Sequence, residues 1–103
     1  MNDFTVHIEG LSPTVEHQIS FENKLTRVVD EAPSNSVVSV RVGRNGSVLR
    51  GQIRVNSYAG SFFAMASSDN LDSLADQLIY RIRIRLNRWK AKRFKENSYE
   101  AAV

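Results

Sequence analysis

The sequence contains no cysteine. Disulfides and thiolate metal sites are therefore excluded, and the chain suits a reducing compartment. Histidine is scarce, only His7 and His17, and neither has a carboxylate at metal-ligand spacing, so no metal and no cofactor are expected. There is no run of about 18 apolar residues, the length that crosses a bilayer. The first residues, MNDFTVHIEG, lack the cationic start and apolar stretch of a signal peptide. The expectation is a cytoplasmic protein without a membrane partner. No serine sits in a nucleophile elbow, and Gly43-Arg44-Asn45-Gly46-Ser47 is a hairpin turn rather than a P-loop. With no catalytic constellation, neither an enzyme nor a small-molecule substrate is expected.

What is present is a short, ordinary globular composition: 103 residues, 42% hydrophobic and 24% charged. That length fits one domain with a single modest core. The charge, however, is unevenly placed. Residues 81–95 hold eight cations (Arg81, Arg83, Arg85, Arg88, Lys90, Lys92, Arg93 and Lys95) and no acid, while the rest of the chain has six cations against eleven anions. A net charge of +3 thus conceals an acidic body with one strongly basic end, a polarised electrostatic object.

Hydrophobic periodicity gives the order of elements. Phe4-Thr5-Val6-His7-Ile8 alternates as a strand does and stops near Gly10. Ser12-Pro13 reads as a helix start, Ser as N-cap and Pro at the first helical position. Val15, Phe21, Leu25, Val28 and Val29 then form a helical stripe with Ile19 off its edge, ending near Asp30 to Pro33. Val37 to Val42 is a β-branched, alternating strand. Asn45-Gly46 is a hairpin signal, and Val48 to Val55 returns with Arg50, Gln52 and Arg54 on one face and Gly51, Ile53 and Val55 on the other. A second turn over Asn56 to Ser61 leads to a strand at Phe62 to Ala66.

The last segment is ambiguous over Arg81-Ile82-Arg83-Ile84-Arg85-Leu86, which alternates like a strand. Leu71, Ala75, Leu78, Ile79, Ile82, Leu86 and Trp89 nevertheless recur at spacings of three and four, a helical period sustained for about twenty residues. The longer pattern prevails, and only Tyr80 and Ile84 fall outside the stripe. Ser68-Asp69-Asn70 offers N-caps, and acids at the front with cations at the back suit the helix macrodipole. The expected helix has about 25 residues and spans about 37 Å, longer than a six-residue strand at about 20 Å, so its cationic end should overhang the sheet. The fold class is α+β: β-α-β-β-β-α, one four-stranded sheet with two helices packed on one face, a double-stranded-RNA-binding-like order. Residues 1–95 form the single domain and 96–103 a short flexible tail.

At 100° per residue, Arg81, Arg85, Arg88, Lys92 and Lys95 share a stripe about 80° wide beside the apolar one, with Arg83 and Lys90 on its other shoulder. A face that serves solubility alone interleaves both signs; this one does not. Guanidinium groups fork onto phosphate, which points to a polyanion. Trp89 reads as the last core anchor of the helix rather than a base-stacking residue. Arg41, Arg50 and Arg54 alternate onto the outer sheet face, where they either solvate it or form a second nucleic-acid surface.

The chain resembles the ribosome hibernation-promoting factor family, also called ribosome-associated inhibitor or sigma-54 modulation proteins. The resemblance spans residues 4–95 and rests on element order, the closing basic helix, and the run from Asn70-Leu71 through Leu78-Ile79, Arg81-Ile82 and Arg85-Leu86 to Arg88 and Lys90. Lys24-Leu25 and Arg27-Val28 match basic-apolar pairs of the family's first helix. Asn70, Asp72 and Gln18 depart from it, and the resemblance leads us to expect the short form, without the extra C-terminal domain. The resemblance implies a translational silencer of the stress response that occupies the mRNA and tRNA channel of the small ribosomal subunit. It implies ribosomal RNA contacts at Lys24, Arg27, Arg81, Arg85, Arg88 and Lys90; the stripe adds Lys92 and Lys95. The alternative is a protein-interaction module whose basic helix docks on an acidic partner with Tyr80 and Ile84 as anchors. A monomer or weak dimer is expected.

Overall fold

The computed structural model describes residues 2–101, and side chains from 2 to 92. The elements are β1 (Asp3–Ile8), α1 (Val15–Glu31), β2 (Val37–Asn45), β3 (Val48–Ser57), β4 (Gly60–Ser68) and α2 (Leu71–Ala101). They build one sheet in the order β1-β2-β3-β4. β1 lies parallel to β2, and the two hairpins that follow are antiparallel. This is the α+β order that the periodicity predicts. The expected tail at 96–103 falls outside the described side chains; helical backbone itself runs to Ala101.

One face of the sheet is dry. Val38, Val40 and Val42 of β2, with Leu49, Ile53 and Val55 of β3, are buried against Phe21, Leu25 and Val28 of α1 and the apolar stripe of α2. The same strands turn Arg41, Arg50 and Arg54 to solvent, as a period of two requires. Beneath α2 the sheet is lined by small residues, Gly51, Ala64 and Ala66, all buried. A Cβ on Gly51 would stand 3.0 Å from a Leu74 methyl and 3.1 Å from a Leu78 methyl. Glycine is what lets the helix settle this close.

Several local expectations are corrected. α1 begins at Val15, with Thr14 as N-cap accepting from the His17 backbone N–H at 3.2 Å; Pro13 precedes the cap instead of opening the helix. Val15 is exposed as a result and does not extend the apolar stripe. The first hairpin turns on Gly46-Ser47, since Asn45 pairs with Val48. Positive φ falls on Gly46 and not on its neighbours, the pattern of a turn with glycine at its first central position. Leu74, omitted from the stripe read above, is fully buried. Asn70 is the cap of α2, its Oδ1 accepting from Ser73 N–H at 2.8 Å. α2 itself has 31 residues, about 46 Å at 1.5 Å per residue.

Candidate nucleic-acid interface

The period of α2 divides its cations into two groups. On the β4 side, Arg81, Arg85 and Arg88 line an open groove of about 430 Å³ with Phe63, Ala64 and Met65. β4 is an edge strand, so this row runs along a free sheet edge. Arg81 is partly spent there: its Nη1 donates to the Met65 carbonyl at 2.6 Å, closing one orphan acceptor of the edge. Arg85, Arg88 and Lys92 are exposed and make no ion pair with any described residue. Trp89 marks where the row passes the end of the sheet. It is half-buried, its ring meeting Phe62 edge-on at 6.0 Å and 66°, as a last core anchor does. Lys95 lies outside the described side chains.

On the opposite side of α2, Arg83 faces an acid supplied by folding, while Lys90 makes no ion pair with a described residue. Arg83 reaches Glu31, the last residue of α1, with two donors: Nε to Oε2 at 2.9 Å and Nη2 to Oε1 at 2.7 Å. An acid at a helix C-terminus opposes the macrodipole, and this fork offsets it. The hydrogen bond from Arg83 is the largest influence on Glu31 and holds its carboxyl below the ordinary value of 4.5, while Arg83 is raised in turn. Two turns of α1 earlier, Lys24 stands 3.3 Å from Asp76 and 3.9 Å from Asp72, both of α2. Asp72 and Asp76 therefore act as partners across the helix pair as well as favouring the helix front.

Between the helices lies a broad cleft of about 910 Å³. Ile19, Tyr80 and Ile84, at 51%, 69% and 39% exposure, give it an apolar floor, and Arg27 is exposed at its wall. Tyr80 and Ile84 thus stand outside the core, as the helical period predicts. Lys90 is exposed and contributes to the field that lowers Glu31.

The described residues among those expected to touch RNA lie in different surroundings. Arg85, Arg88 and Lys92 form a free row, Arg81 belongs to it but is tied to the sheet, and Lys24 sits on the other side between two carboxylates. Sequence reasoning missed the partners of Lys24 and Arg83 because Asp72, Asp76 and Glu31 become neighbours only through the packing of α1 on α2. Among the described residues no group of three or more His, Asp or Glu side chains gathers as a metal would need, and no helix is long and apolar enough to cross a membrane.

No protein-family model and no curated protein sequence matches the chain. Solved structures do match its shape. A ribosomal subunit interface protein from Coxiella burnetii superposes with a TM-score of 0.72 at 20% identity, over 88% of this chain and 99% of that one. The Protein Y N-terminal domain of Thermus thermophilus gives 0.69 at 20% identity, over 86% of this chain and 99% of that one. Both have the architecture that the resemblance in sequence implied. At this identity the likeness is one of fold: the chain is a β-α-β-β-β-α domain like those of a ribosomal subunit interface protein and of Protein Y.

Proposed function

We propose that the protein binds the small ribosomal subunit, contacts its RNA in the channel used by mRNA and tRNA, and holds idle ribosomes out of translation in the cytoplasm. The observation that carries the reading is the row Arg85, Arg88 and Lys92: exposed, without acids from 81 to 95, and without an ion pair to any described residue. Leaving three like charges unpaired on one helix side is unfavourable for folding alone and favourable against a polyphosphate. The likeness of fold to a ribosomal subunit interface protein supports the same reading. So does the resemblance in sequence along α2.

Co-sedimentation with ribosomes and separated subunits tests it. The wild type is expected to pellet stoichiometrically with the small subunit. With three phosphate contacts, affinity should fall about forty-fold between about 50 and 200 mM salt. No pelleting at the lower salt would sink the proposal.

A second reading, a module for an acidic protein, is favoured by the apolar floor of the inter-helix cleft, with Tyr80 at 69% exposure. Competition separates the two. Excess structured RNA strips the first from its target and leaves the second bound.

A further inference from the structure

The outer face of the sheet is an unpartnered surface on the side away from both helices. Its middle rows follow from the strand register. His7, Arg41, Gln52 and Met65 lie side by side in one row, and Thr5, Ser39, Arg54 and Phe63 in the next. Gly43 pairs with Arg50 one row further along, and a Cβ on Gly43 would meet nothing within 4 Å, so the surface dips there. Arg41 and Arg50 line that dip, about 280 Å³ in volume, with His7, Gln52 and one acid, Glu9, among its other walls. Arg41, Arg50 and Arg54 are all exposed, and none makes an ion pair with a described residue. The acids of this face are Asp3 and Glu9 on the β1 side; Glu9 reaches the edge of the dip, where its carboxylate holds His7 at 2.6 Å.

Two further features distinguish this face from a merely solvated one. The Arg54 guanidinium lies 5.3 Å from the centre of the Phe63 ring, which makes a flat cation-aromatic platform of the kind on which bases stack. The face is also continuous with the helix row: Arg50 and Arg81 line one hollow of about 260 Å³ across β4, with Met65, Ser67 and Gln77 between them. A basic path therefore runs from α2 around the β4 edge and onto the sheet.

We propose that this outer face is a second nucleic-acid surface, which binds single-stranded RNA through Arg41, Arg50 and Arg54 with a base stacked on the Arg54–Phe63 platform. Single-stranded chain is the form whose unstacked bases can reach such a platform while its phosphates meet guanidinium groups spaced across a flat sheet. Nothing in this depends on ribosome binding through α2, so the two readings stand or fall separately.

The test isolates the face by first neutralising the helix row with Arg85→Gln, Arg88→Gln and Lys92→Gln. Binding of a fluorescein-labelled oligouridylate is then followed by anisotropy. Binding is expected to persist in this protein and to weaken about twenty-fold between about 50 and 200 mM salt, as three contacts to a single strand imply. Adding Arg41→Gln, Arg50→Gln and Arg54→Gln should weaken it at least about tenfold, and Phe63→Ala by about tenfold, with Phe63→Tyr restoring the loss. Melting by circular dichroism checks each fold; should the triple variant unfold, Arg41→Gln and Arg50→Gln singly are each expected to cost a few-fold. The proposal is overturned if the helix-neutralised protein does not bind the oligonucleotide, or if the sheet substitutions leave binding unchanged. It is overturned equally if polyglutamate displaces the oligonucleotide as well as unlabelled RNA does, which would assign the face to an acidic protein.

Discussion

Arg83 and Arg85 are two residues apart on one helix and have opposite fates. Arg83 turns toward α1, forks onto Glu31 at 2.7 and 2.9 Å, and is half-buried; Arg85 turns toward the β4 edge and is exposed with no described ionic partner. The same division holds across the molecule. Lys24 faces two carboxylates of α2, whereas Arg88 and Lys92 face solvent. On one side of α2 Arg83, Asp72 and Asp76 use their charge to hold the helices together, and the row on the other side leaves its charge available. A count of eight cations conceals this difference, because the acid that absorbs part of the charge, Glu31, comes from α1.

Reversing the free row should have the largest effect. Arg85→Glu with Arg88→Glu and Lys92→Glu is expected to lower affinity for the small subunit by at least about a hundredfold, since three favourable phosphate contacts become repulsive. The melting temperature should stay within about 2 °C, since exposed substitutions of this kind stay within about 0.5 kcal/mol. Arg81 is better left out of that set, because its bond to the Met65 carbonyl would mix a structural loss into the binding result. A variant that unfolds would refute the assignment of these side chains to solvent.

The paired side should respond in the opposite way. Arg83→Gln is expected to leave subunit binding within a factor of about two and to destabilise the fold by about 1 kcal/mol, or about 5 °C in melting temperature. With side chains 37% and 33% exposed, the fork is screened well below the worth of a buried pair. Its pH dependence has a definite sign. Glu31 titrates below 4.5 in the folded protein, so the unfolded chain takes up its proton first as pH falls. The stabilisation is complete above about 4.5 and is lost as pH drops through the lower, folded value. Thermal melts of wild type and Arg83→Gln should therefore draw together as pH falls from 4.5 through the lower folded value, and a gap that stays constant down to full protonation of the carboxylates would show that the carboxylate is not what Arg83 holds.

Much of this was legible from periodicity. The stripe from Leu71 to Trp89 placed α2, and the placement of Tyr80 and Ile84 outside it told which face stays open. Alternation in Val37 to Val55 put Arg41, Arg50 and Arg54 on the outer face. What periodicity does not carry is which distant residues meet. Glu31 and Arg83 are 52 positions apart, as are Lys24 and Asp76, and no local rule pairs them. The same is true of Asn2, whose side chain donates to Val29 O at 2.8 Å and accepts from Ser36 N–H at 2.9 Å, tying the end of α1 to the start of β2. Cap choice failed for a different reason. Ser12 and Thr14 have the same capping chemistry, and composition gives no preference between two adequate caps.

Lys24 provides the finest test of the division, because by resemblance it belongs to the RNA-contacting set and by geometry it is already neutralised. If the carboxylates of Asp72 and Asp76 hold its ammonium, Lys24→Gln should weaken subunit binding by less than Arg88→Gln does, by about twofold or under. Asp72→Asn with Asp76→Asn should have the reverse effect, freeing the ammonium and removing two anions from the surface. A rise in affinity of a few-fold is expected at about 50 mM salt, shrinking toward nothing at about 200 mM as screening shortens the reach of each charge. Titration of labelled subunits against the three variants at both salt concentrations measures this. A loss on Lys24→Gln equal to that of Arg88→Gln would mean that the ammonium leaves its carboxylates for phosphate on binding. The inter-helix cleft would then join the free row in a single RNA surface, and the contrast between the two sides of α2 would describe only the unbound protein.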